Sequence, residues 1–190
     1  MDGGDRQRDR PRRGPAGYVA GQIVGFDAYL RRALRATPKA VVWPGNDIRH
    51  ELSARAHGER GTLALVNPDL GDAGAVAPGL SLAVQVVRPG DCTRTHAHSF
   101  WHLYLVQEGH GVVDLGDCVG ARPLVAGDIL LLPAWCPHAF DNRDGTADLV
   151  LIALQNLPQC AALGSVLVRD GQDGPPHPLY AASDRAGEYS

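Results

Sequence analysis

The sequence lacks the features that mark several classes of redox and membrane protein. Its four cysteines form no C-x-x-C pair, which argues against a zinc ribbon or a thioredoxin-like motif and predicts reduced thiols. No apolar run approaches the roughly 20 residues that a membrane-spanning helix needs. The first residues also lack the apolar core of a signal peptide. We therefore expect a cytoplasmic protein that does not associate with membranes.

The sequence has no excess of positive charge. It has a single lysine, Lys39, among 18 Lys and Arg residues, against 21 Asp and Glu residues, which gives a formal net charge of -3 at pH 7 and a pI near 6.2. A chain without an overall basic surface is not expected to bind nucleic acid. The sequence contains no G-x-S-x-G elbow, no G-x-x-x-x-G-K phosphate loop and no G-x-G-x-x-G after a strand. No such motif competes with the histidines as a candidate site.

Four of the eight histidines lie in two clusters in the middle of the chain. The first cluster reads Gly90-x5-His96-x-His98-x3-His102-x6-Gly109, and the second reads Gly127-x5-Pro133-x4-His138-x3-Asn142. Side chains at i and i+2 of a strand share a face, so His96 and His98 can point to one side. His102 follows at an even step and lies on that side if the pleat continues.

The second cluster contains a further histidine that a neighbouring strand can bring close to the first cluster. His138 follows the segment from Gly127 to Pro133. This segment predicts a turn, then a buried strand, and then a proline that ends the strand. Neutral imidazole is the commonest protein metal ligand and suits Fe, Ni, Cu and Zn alike. The spacing therefore predicts a metal site formed by His96, His98 and His138.

These two spacings resemble the paired signature of the cupin family. Other residues fall in an order similar to the first cupin domain of gentisate 1,2-dioxygenases, and the likeness covers roughly residues 39–142. They are Val42-Trp43, Asp47-Ile48-Arg49, Asn67-Pro68, Gln85, Pro89-Gly90, His96, His98, Glu108-Gly109, Gly127-Asp128, Pro133, Trp135, His138 and Asn142. Those dioxygenases hold Fe(II) with three histidines, so the resemblance implies an Fe(II) site at His96, His98 and His138.

His102 stands where the cupin pattern usually has glutamate. Either it is a fourth ligand, or it supports a three-histidine site whose open positions take water or substrate. We favour ligation, which gives His96, His98, His102 and His138 as the predicted metal ligands. A neutral imidazole in place of a carboxylate makes the site more positive and favours anionic ligands.

The chain is predicted to form one domain with two tails. Residues 1–17 hold five arginines and no apolar anchor, which is typical of a disordered tail. Apolar residues at three- and four-residue steps predict a helix over 18–37 that packs on the domain. Residues 38–169 are predicted to be the cupin domain. Residues 170–190, rich in Gly, Pro and Asp, are predicted to be disordered.

Short strand patterns separated by Gly, Pro and Asp turns run through the domain. We predict strands at 39–43, 62–66, 80–88, 149–153 and 165–168. The absence of alternating helices favours an antiparallel all-β barrel or jelly roll. Together with the resemblance, this predicts an all-β cupin fold, a double-stranded β-helix, with an N-terminal helix.

We predict a metal-dependent cupin enzyme, an iron dioxygenase that acts with O2 on a small aromatic or enol-type substrate. One divalent ion per chain is expected, with Fe(II) favoured and Zn, Ni and Mn as alternatives. Tyr104 and Trp135 are the candidate catalytic, pocket-lining side chains. A homodimer is expected. Two other functions stay open: a zinc or nickel cyclase or isomerase that uses Lewis-acid chemistry, and a metabolite-sensing cupin that is not an enzyme.

Overall fold

The chain divides into two units, which are described separately. The computed structural model describes residues 22–33, 38–54 and 61–179. The first unit comprises residues 1–37 and the second comprises residues 38–190. The division falls where the sequence predicts that the N-terminal helix ends and the domain begins.

The first unit contains the helix α1, Phe26–Ala33. Its first turn is closed by the Tyr29 amide, which donates to the Gly25 carbonyl at 3.0 Å. The Phe26 and Tyr29 rings stack with centroids 5.8 Å apart, as expected for side chains three positions apart on a helix. The rest of the predicted helix over 18–37, and the predicted tail before it, fall largely outside the described residues.

The described part of the second unit has more residues in strands than in helices. It contains two α-helices, α2 (Gly45–Ala54) and α3 (Leu157–Ala162), neither long nor apolar enough to cross a bilayer. The strands are β1 (Thr62–Leu65), β2 (Ser81–Val87), β3 (His96–His98), β4 (His102–Glu108), β5 (His110–Asp114), β6 (Ala121–Val125), β7 (Ile129–Leu132), β8 (Ala139–Asp141), β9 (Leu149–Gln155), β10 (Leu167–Asp170) and β11 (His177–Pro178). The all-β prediction is confirmed.

The strands form three antiparallel sheets. The largest has the order β1-β2-β9-β4-β7, and the two three-stranded sheets have the orders β11-β10-β3 and β6-β5-β8. In the large sheet, β2 and β9 pair over seven residues, from Ser81 with Gln155 to Val87 with Leu149. Both strands are rich in aliphatic residues. β2 is buried along almost all of its length, and β9 is buried from Leu149 to Leu151, whereas Ile152 and Leu154 further along are partly buried.

The main core lies between the large sheet and the β6-β5-β8 sheet. Side chains from both sheets pack in one cluster, which includes Tyr104, Val113, Leu124, Phe140 and Leu151. The opposite face of the large sheet is covered in part by α2. There, Ile48 and Leu52 pack on aliphatic residues of β1, β2 and β9.

The strand predicted at 39–43 is not present. The Lys39 amide donates to the Asp69 carboxylate at 2.9 Å, and the Trp43 indole donates to the Val66 carbonyl at 3.3 Å. The segment is therefore held by isolated hydrogen bonds to a loop rather than by a ladder with a neighbouring strand. The apolar residues of this segment resemble those of a strand, but no neighbouring strand in the described residues pairs with it.

Part of the segment predicted to be a disordered tail from Asp170 is structured. Asp170 ends β10, and β11 pairs with β10 through Leu167 and Val168. The His177 imidazole also bonds the Asp170 carboxylate at 2.9 Å. A two-residue strand leaves no periodic signal, so composition alone could not reveal it.

Leu151 provides a test of the core. It is fully buried at the centre of β9. Leu151→Ala should lower the free energy of unfolding by about 2–5 kcal/mol, because the truncation leaves a cavity among packed side chains. Urea unfolding measures the change. Val119→Ala, at an exposed loop position, should change stability by less than about 0.5 kcal/mol. Equal effects would contradict the assigned core.

His177 provides a second test. Its hydrogen bond to the Asp170 carboxylate raises the pKa of His177 above its ordinary value, with a further contribution from the Pro178 carbonyl. The ion pair should therefore hold β11 at acidic pH and be lost as the pH rises through this raised pKa. NMR titration of the His177 ring should show a lower midpoint in Asp170→Asn. An unchanged His177 midpoint in Asp170→Asn would refute the pairing.

Candidate metal centre

The two histidine clusters are joined by backbone hydrogen bonds. The His96 amide donates to the His138 carbonyl at 3.1 Å, and the His138 amide donates back to His96 at 2.9 Å. β3 places His96 and His98 on one face and turns the buried Ala97 to the opposite face. This reciprocal pair brings a residue 42 positions away in sequence against the His-x-His strand, as the spacing predicted.

The three imidazoles converge. One ring nitrogen from each of His96, His98 and His138 lies within 4.8 Å of the others, near enough for all three to hold one ion. The ring centroids of His96 and His138 are 4.4 Å apart, and those of His98 and His138 are 5.1 Å apart. His98 and His138 are buried, and His96 is partly exposed. Two ligands are therefore fixed in the interior and one lies at its margin.

Each of these rings is oriented by the backbone in the same way. The Nδ1 atoms of His96, His98 and His138 bond carbonyl oxygens of Arg94, Phe100 and Cys136, at 2.9, 2.7 and 3.0 Å. A carbonyl only accepts, so each Nδ1 must carry the proton. Each Nε2 then carries the lone pair that a metal requires. The Phe100 ring also stacks on the His98 ring, with ring centroids 3.9 Å apart, and this contact fixes the plane of the imidazole.

This donor set fits a divalent transition metal. The ligands are three neutral imidazoles, which suit Fe, Ni, Cu and Zn, and backbone hydrogen bonds have set their tautomers in advance. A histidine triad that can bind a metal is thus part of the fold. The donor set does not by itself select among these metals.

His102 is placed differently from these three. Its Nε2 donates to Oε1 of Gln155, and its Nδ1 accepts from the Tyr104 hydroxyl at 3.1 Å. Its ring lies edge-on to His98, with centroids 4.4 Å apart. It is not part of the group of three within ligand distance. Ligation by His102 stays a prediction, and these hydrogen bonds favour the alternative in which it supports the site.

A cavity of about 670 Å³ opens beside the triad. Its lining comprises Thr62, Ala64, Ala83, Gln85, Cys92, Thr93, Arg94, His96, His98, Phe100, His102, Tyr104, Ala153, Gln155, Leu157, Asp170 and Leu179. The volume is within the range of small-molecule sites. Arg94 and Asp170 are exposed and supply its charged side chains, whereas the buried Gln85 and Tyr104 are neutral. The cavity interior is therefore polar but uncharged.

Of the two predicted catalytic side chains, Tyr104 lies in the cavity wall and Trp135 is not among the lining residues. Trp135 has a backbone φ of +65°, the only such value at a non-glycine position in the described ranges. Its amide donates to the His98 carbonyl at 2.7 Å, and its carbonyl accepts from Arg169 at 3.3 Å. The Arg169 guanidinium lies 5.9 Å from the indole centroid. Trp135 thus links the loop before His138 to the His-x-His strand.

Two polar residues near the site have roles that the motif did not specify. Gln155, which accepts the hydrogen bond from His102, was not identified from the sequence. The sequence shows it only as a polar residue at the end of the aliphatic run of β9. Asn142, the last residue of the second cluster, is buried and donates to the Val87 and Ala147 carbonyls at 2.8 and 2.9 Å. Its contribution is to fold the loop after β8.

Comparison with known proteins agrees with this geometry. The Cupin domain family matches residues 83–154, which include every residue of the triad. A 5-nitrosalicylic acid 1,2-dioxygenase from Bradyrhizobium is 25% identical over 151 residues, covering 74% of this chain and 71% of the relative. A gentisate 1,2-dioxygenase from Streptomyces is 39% identical over 88 residues, covering 45% of this chain but 24% of the relative.

The fold has solved counterparts. Salicylate 1,2-dioxygenase from Pseudoaminobacter salicylatoxidans, in a crystal structure with gentisate adducts, matches with a TM-score of 0.65 and 25% identity, over 80% of this chain and 44% of that one. The chain thus spans less than half of this structure and about a quarter of the gentisate dioxygenase. The predicted cupin fold is confirmed. Residues 83–154 match the cupin domain family, and the chain resembles the gentisate and salicylate 1,2-dioxygenases.

Proposed function

We propose that the protein is an iron-dependent dioxygenase that acts with O2 on a small aromatic or enol-type substrate. The observation that carries the proposal is the set of three Nδ1–H bonds to backbone carbonyls, which turns three imidazoles toward one point beside a cavity. The dioxygenase names of the relatives support the reaction class. Fe(II) is favoured because the resemblance includes the three histidines.

In this proposal one Fe(II) per chain is held by His96, His98 and His138. When bound, ferrous iron supplies the redox chemistry that lets O2 react with an organic substrate. The three histidines hold its position and add no negative charge. A substrate that binds through anionic oxygens is therefore favoured, because it neutralises charge that the protein leaves uncompensated.

We assign His102 to positioning and Tyr104 to substrate contact. The Tyr104 hydroxyl donates to Nδ1 of His102, so its oxygen lone pairs can accept a hydrogen bond from a substrate hydroxyl in the cavity. Gln155 holds the other side of the His102 ring. If His102 were instead to bind the metal, one of these two hydrogen bonds would have to break. That cost is the reason to prefer the positioning role.

Trp135 is proposed to position the ligands rather than to touch substrate. Its left-handed backbone costs free energy of about 1–3 kcal/mol at a non-glycine residue. The bond to the His98 carbonyl and the Arg169 contacts maintain this conformation. The result is a fixed distance between the loop that leads to His138 and the strand that carries His98.

Arg94 is the proposed contact for a substrate carboxylate. It is a cation in the cavity lining, and its carbonyl also orients His96. Guanidinium and carboxylate form strong charge-assisted hydrogen bonds. Because Arg94 is exposed, the carboxylate would lie at the edge of the cavity while the reacting oxygens face the triad. In this proposal the substrate lies across the cavity, between Arg94 and the triad.

The metal site is tested by substitution. His96→Ala should abolish stoichiometric metal binding, whereas His110→Ala, at the exposed start of β5, should retain it. His102→Ala should lower affinity by about 10-fold, because it removes a supporting contact rather than a ligand. Affinity should also fall as the pH is lowered, since the ligands must be neutral. Elemental analysis and chelator competition measure these changes, and full occupancy in His96→Ala would exclude the site.

The reaction is tested by oxygen consumption. Protein reconstituted anaerobically with Fe(II) should consume O2 only when a suitable substrate is added, and gentisate, salicylate, 1-hydroxy-2-naphthoate, catechols and enols form the panel. Tyr104→Phe should bind the same amount of iron but lower turnover, because only the hydroxyl is removed. Zinc has no redox chemistry and should give no uptake.

Turnover of a substrate by the zinc protein without O2 would replace the dioxygenase by the Lewis-acid cyclase or isomerase. A protein that binds members of the panel without converting them, with any metal, would instead support the metabolite-sensing alternative. Uptake that persists in His96→Ala would show that the reaction does not use the triad.

A further inference from the structure

The margin of the cavity carries one acidic side chain that has no role in the proposed function. Among the described residues that line the cavity, Asp170 is the single acid and Arg94 is the single guanidinium cation. Asp170 ends β10 and lies directly opposite His96 of β3 in the sheet register. Side chains of directly opposite residues project from the same face of a sheet. The Asp170 carboxylate is therefore on the triad side of the sheet, beside the partly exposed metal ligand.

The carboxylate of Asp170 is held in place through one of its two oxygens. Nε2 of His177 bonds Oδ2 at 2.9 Å, and Nδ1 of the same ring bonds the Pro178 carbonyl at 3.1 Å. The backbone is anchored at the next residue, because the Gly171 amide donates to the Thr95 carbonyl at 2.9 Å. Within the described residues Oδ1 forms no hydrogen bond, and the side chain is 80% exposed. One oxygen is thus open to a molecule in the cavity.

An ionised carboxylate at this position favours hydrogen-bond donors. It has acceptor oxygens only, so it attracts N–H and O–H groups and repels nitro groups and further carboxylates. Arg94, two residues before His96, has the opposite preference at the same margin. A substrate carboxylate that binds Arg94 loses part of this gain to Asp170 unless the substrate also supplies a donor. A substrate with both groups satisfies both side chains.

An amino group is the substituent that fits Asp170 best. It donates two hydrogen bonds when neutral, and it forms a charge-assisted hydrogen bond when protonated. A phenolic hydroxyl donates only one, and in the proposed function a hydroxyl oxygen is already turned to the triad. A nitro group is of similar size but only accepts, so it is the opposite case.

We infer, building on the proposed function, that Asp170 is a specificity-determining residue and that the substrate is a hydroxylated aromatic acid with an amino substituent. The hydroxyl oxygen faces the triad, the carboxylate contacts Arg94, and the amino group donates to Oδ1 of Asp170. His177 orients the carboxylate from its other oxygen. The charged margin of the cavity thus selects the substituents of the ring, while the triad binds the oxygen that reacts.

Isothermal titration calorimetry of the full-length, zinc-loaded protein tests this selection, because zinc supports no O2 chemistry. The ligands are salicylate and its 3-, 4- and 5-amino and 3-, 4- and 5-nitro derivatives, so the position of the substituent is compared as well. The wild type should bind the best amino isomer about 10-fold more tightly than its nitro counterpart, since one charge-assisted contact is gained. Asp170→Asn should remove most of this preference without weakening the binding of salicylate, which has no group for Asp170.

Asp173→Asn is the matched control. Asp173 is an exposed carboxylate of the same segment and is not among the lining residues, so this change should keep the wild-type preference. His177→Gln breaks the bond to Oδ2 but keeps the charge of Asp170, so it should still favour the amino ligand. Equal loss of preference in His177→Gln and Asp170→Asn would overturn the role, because it would show that Asp170 only holds β11. Asp170→Glu restores the charge and should restore the preference.

Equal affinity of the wild type for amino and nitro ligands, or an unchanged preference in Asp170→Asn, would also overturn the role of Asp170. Circular dichroism and bound zinc report whether each variant is folded, and Asp170→Ser replaces Asp170→Asn if it is not. Failure of the proposed function looks different, because the Fe(II) protein would then consume no O2 with any ligand, whether or not Asp170 is replaced. With the function intact, O2 uptake by the wild type should favour the amino ligands, and Asp170→Asn should lose that preference.

Discussion

The site depends on a reciprocal pair of backbone hydrogen bonds between His96 and His138. These two bonds set the distance between the strand with two histidines and the loop with the third. The Nδ1 bonds to three backbone carbonyls then fix which nitrogen each ring presents. The arrangement uses no side-chain carboxylate, so it orients the histidines without adding charge. A metal bound there would retain most of its positive charge for substrate and O2.

β4 serves two surfaces because its side chains alternate. His102 and Tyr104 are turned to the cavity, where they form a hydrogen-bonded chain with Gln155. Leu103 and Leu105 are turned to the outer face. A shift of register by one residue would exchange these faces and place the His102 imidazole on the outer face of the sheet. Pairing with β9 on one side and β7 on the other holds the register, so the same ladder fixes which side chains of β4 face the cavity.

The histidine at position 102 distinguishes this chain from the usual cupin pattern. A glutamate there would bring a negative charge to the metal, whereas the imidazole is held by an amide and a phenol. Its hydrogen bonds couple it to Tyr104 in the cavity wall. These contacts are the basis for the proposal that His102 positions Tyr104 rather than binding the metal. The charge that remains in the cavity lining, Arg94 and Asp170, lies at exposed positions.

The sequence by itself determined that His96 and His98 share a face, because strand periodicity is a local signal, and the resemblance of the two spacings to the cupin signature indicated that His138 joins them. It also determined the all-β class. Only the tertiary structure decided the partners of His102, the placement of Trp135 outside the cavity lining and the pairing of β11 with β10. The first two depend on residues distant in sequence, Gln155 for His102 and Arg169 for Trp135. The third involves a strand of two residues, which is too short to give a periodic signal. Hydrogen bonds of that kind leave no periodic pattern, so they become visible only when the strands are brought together.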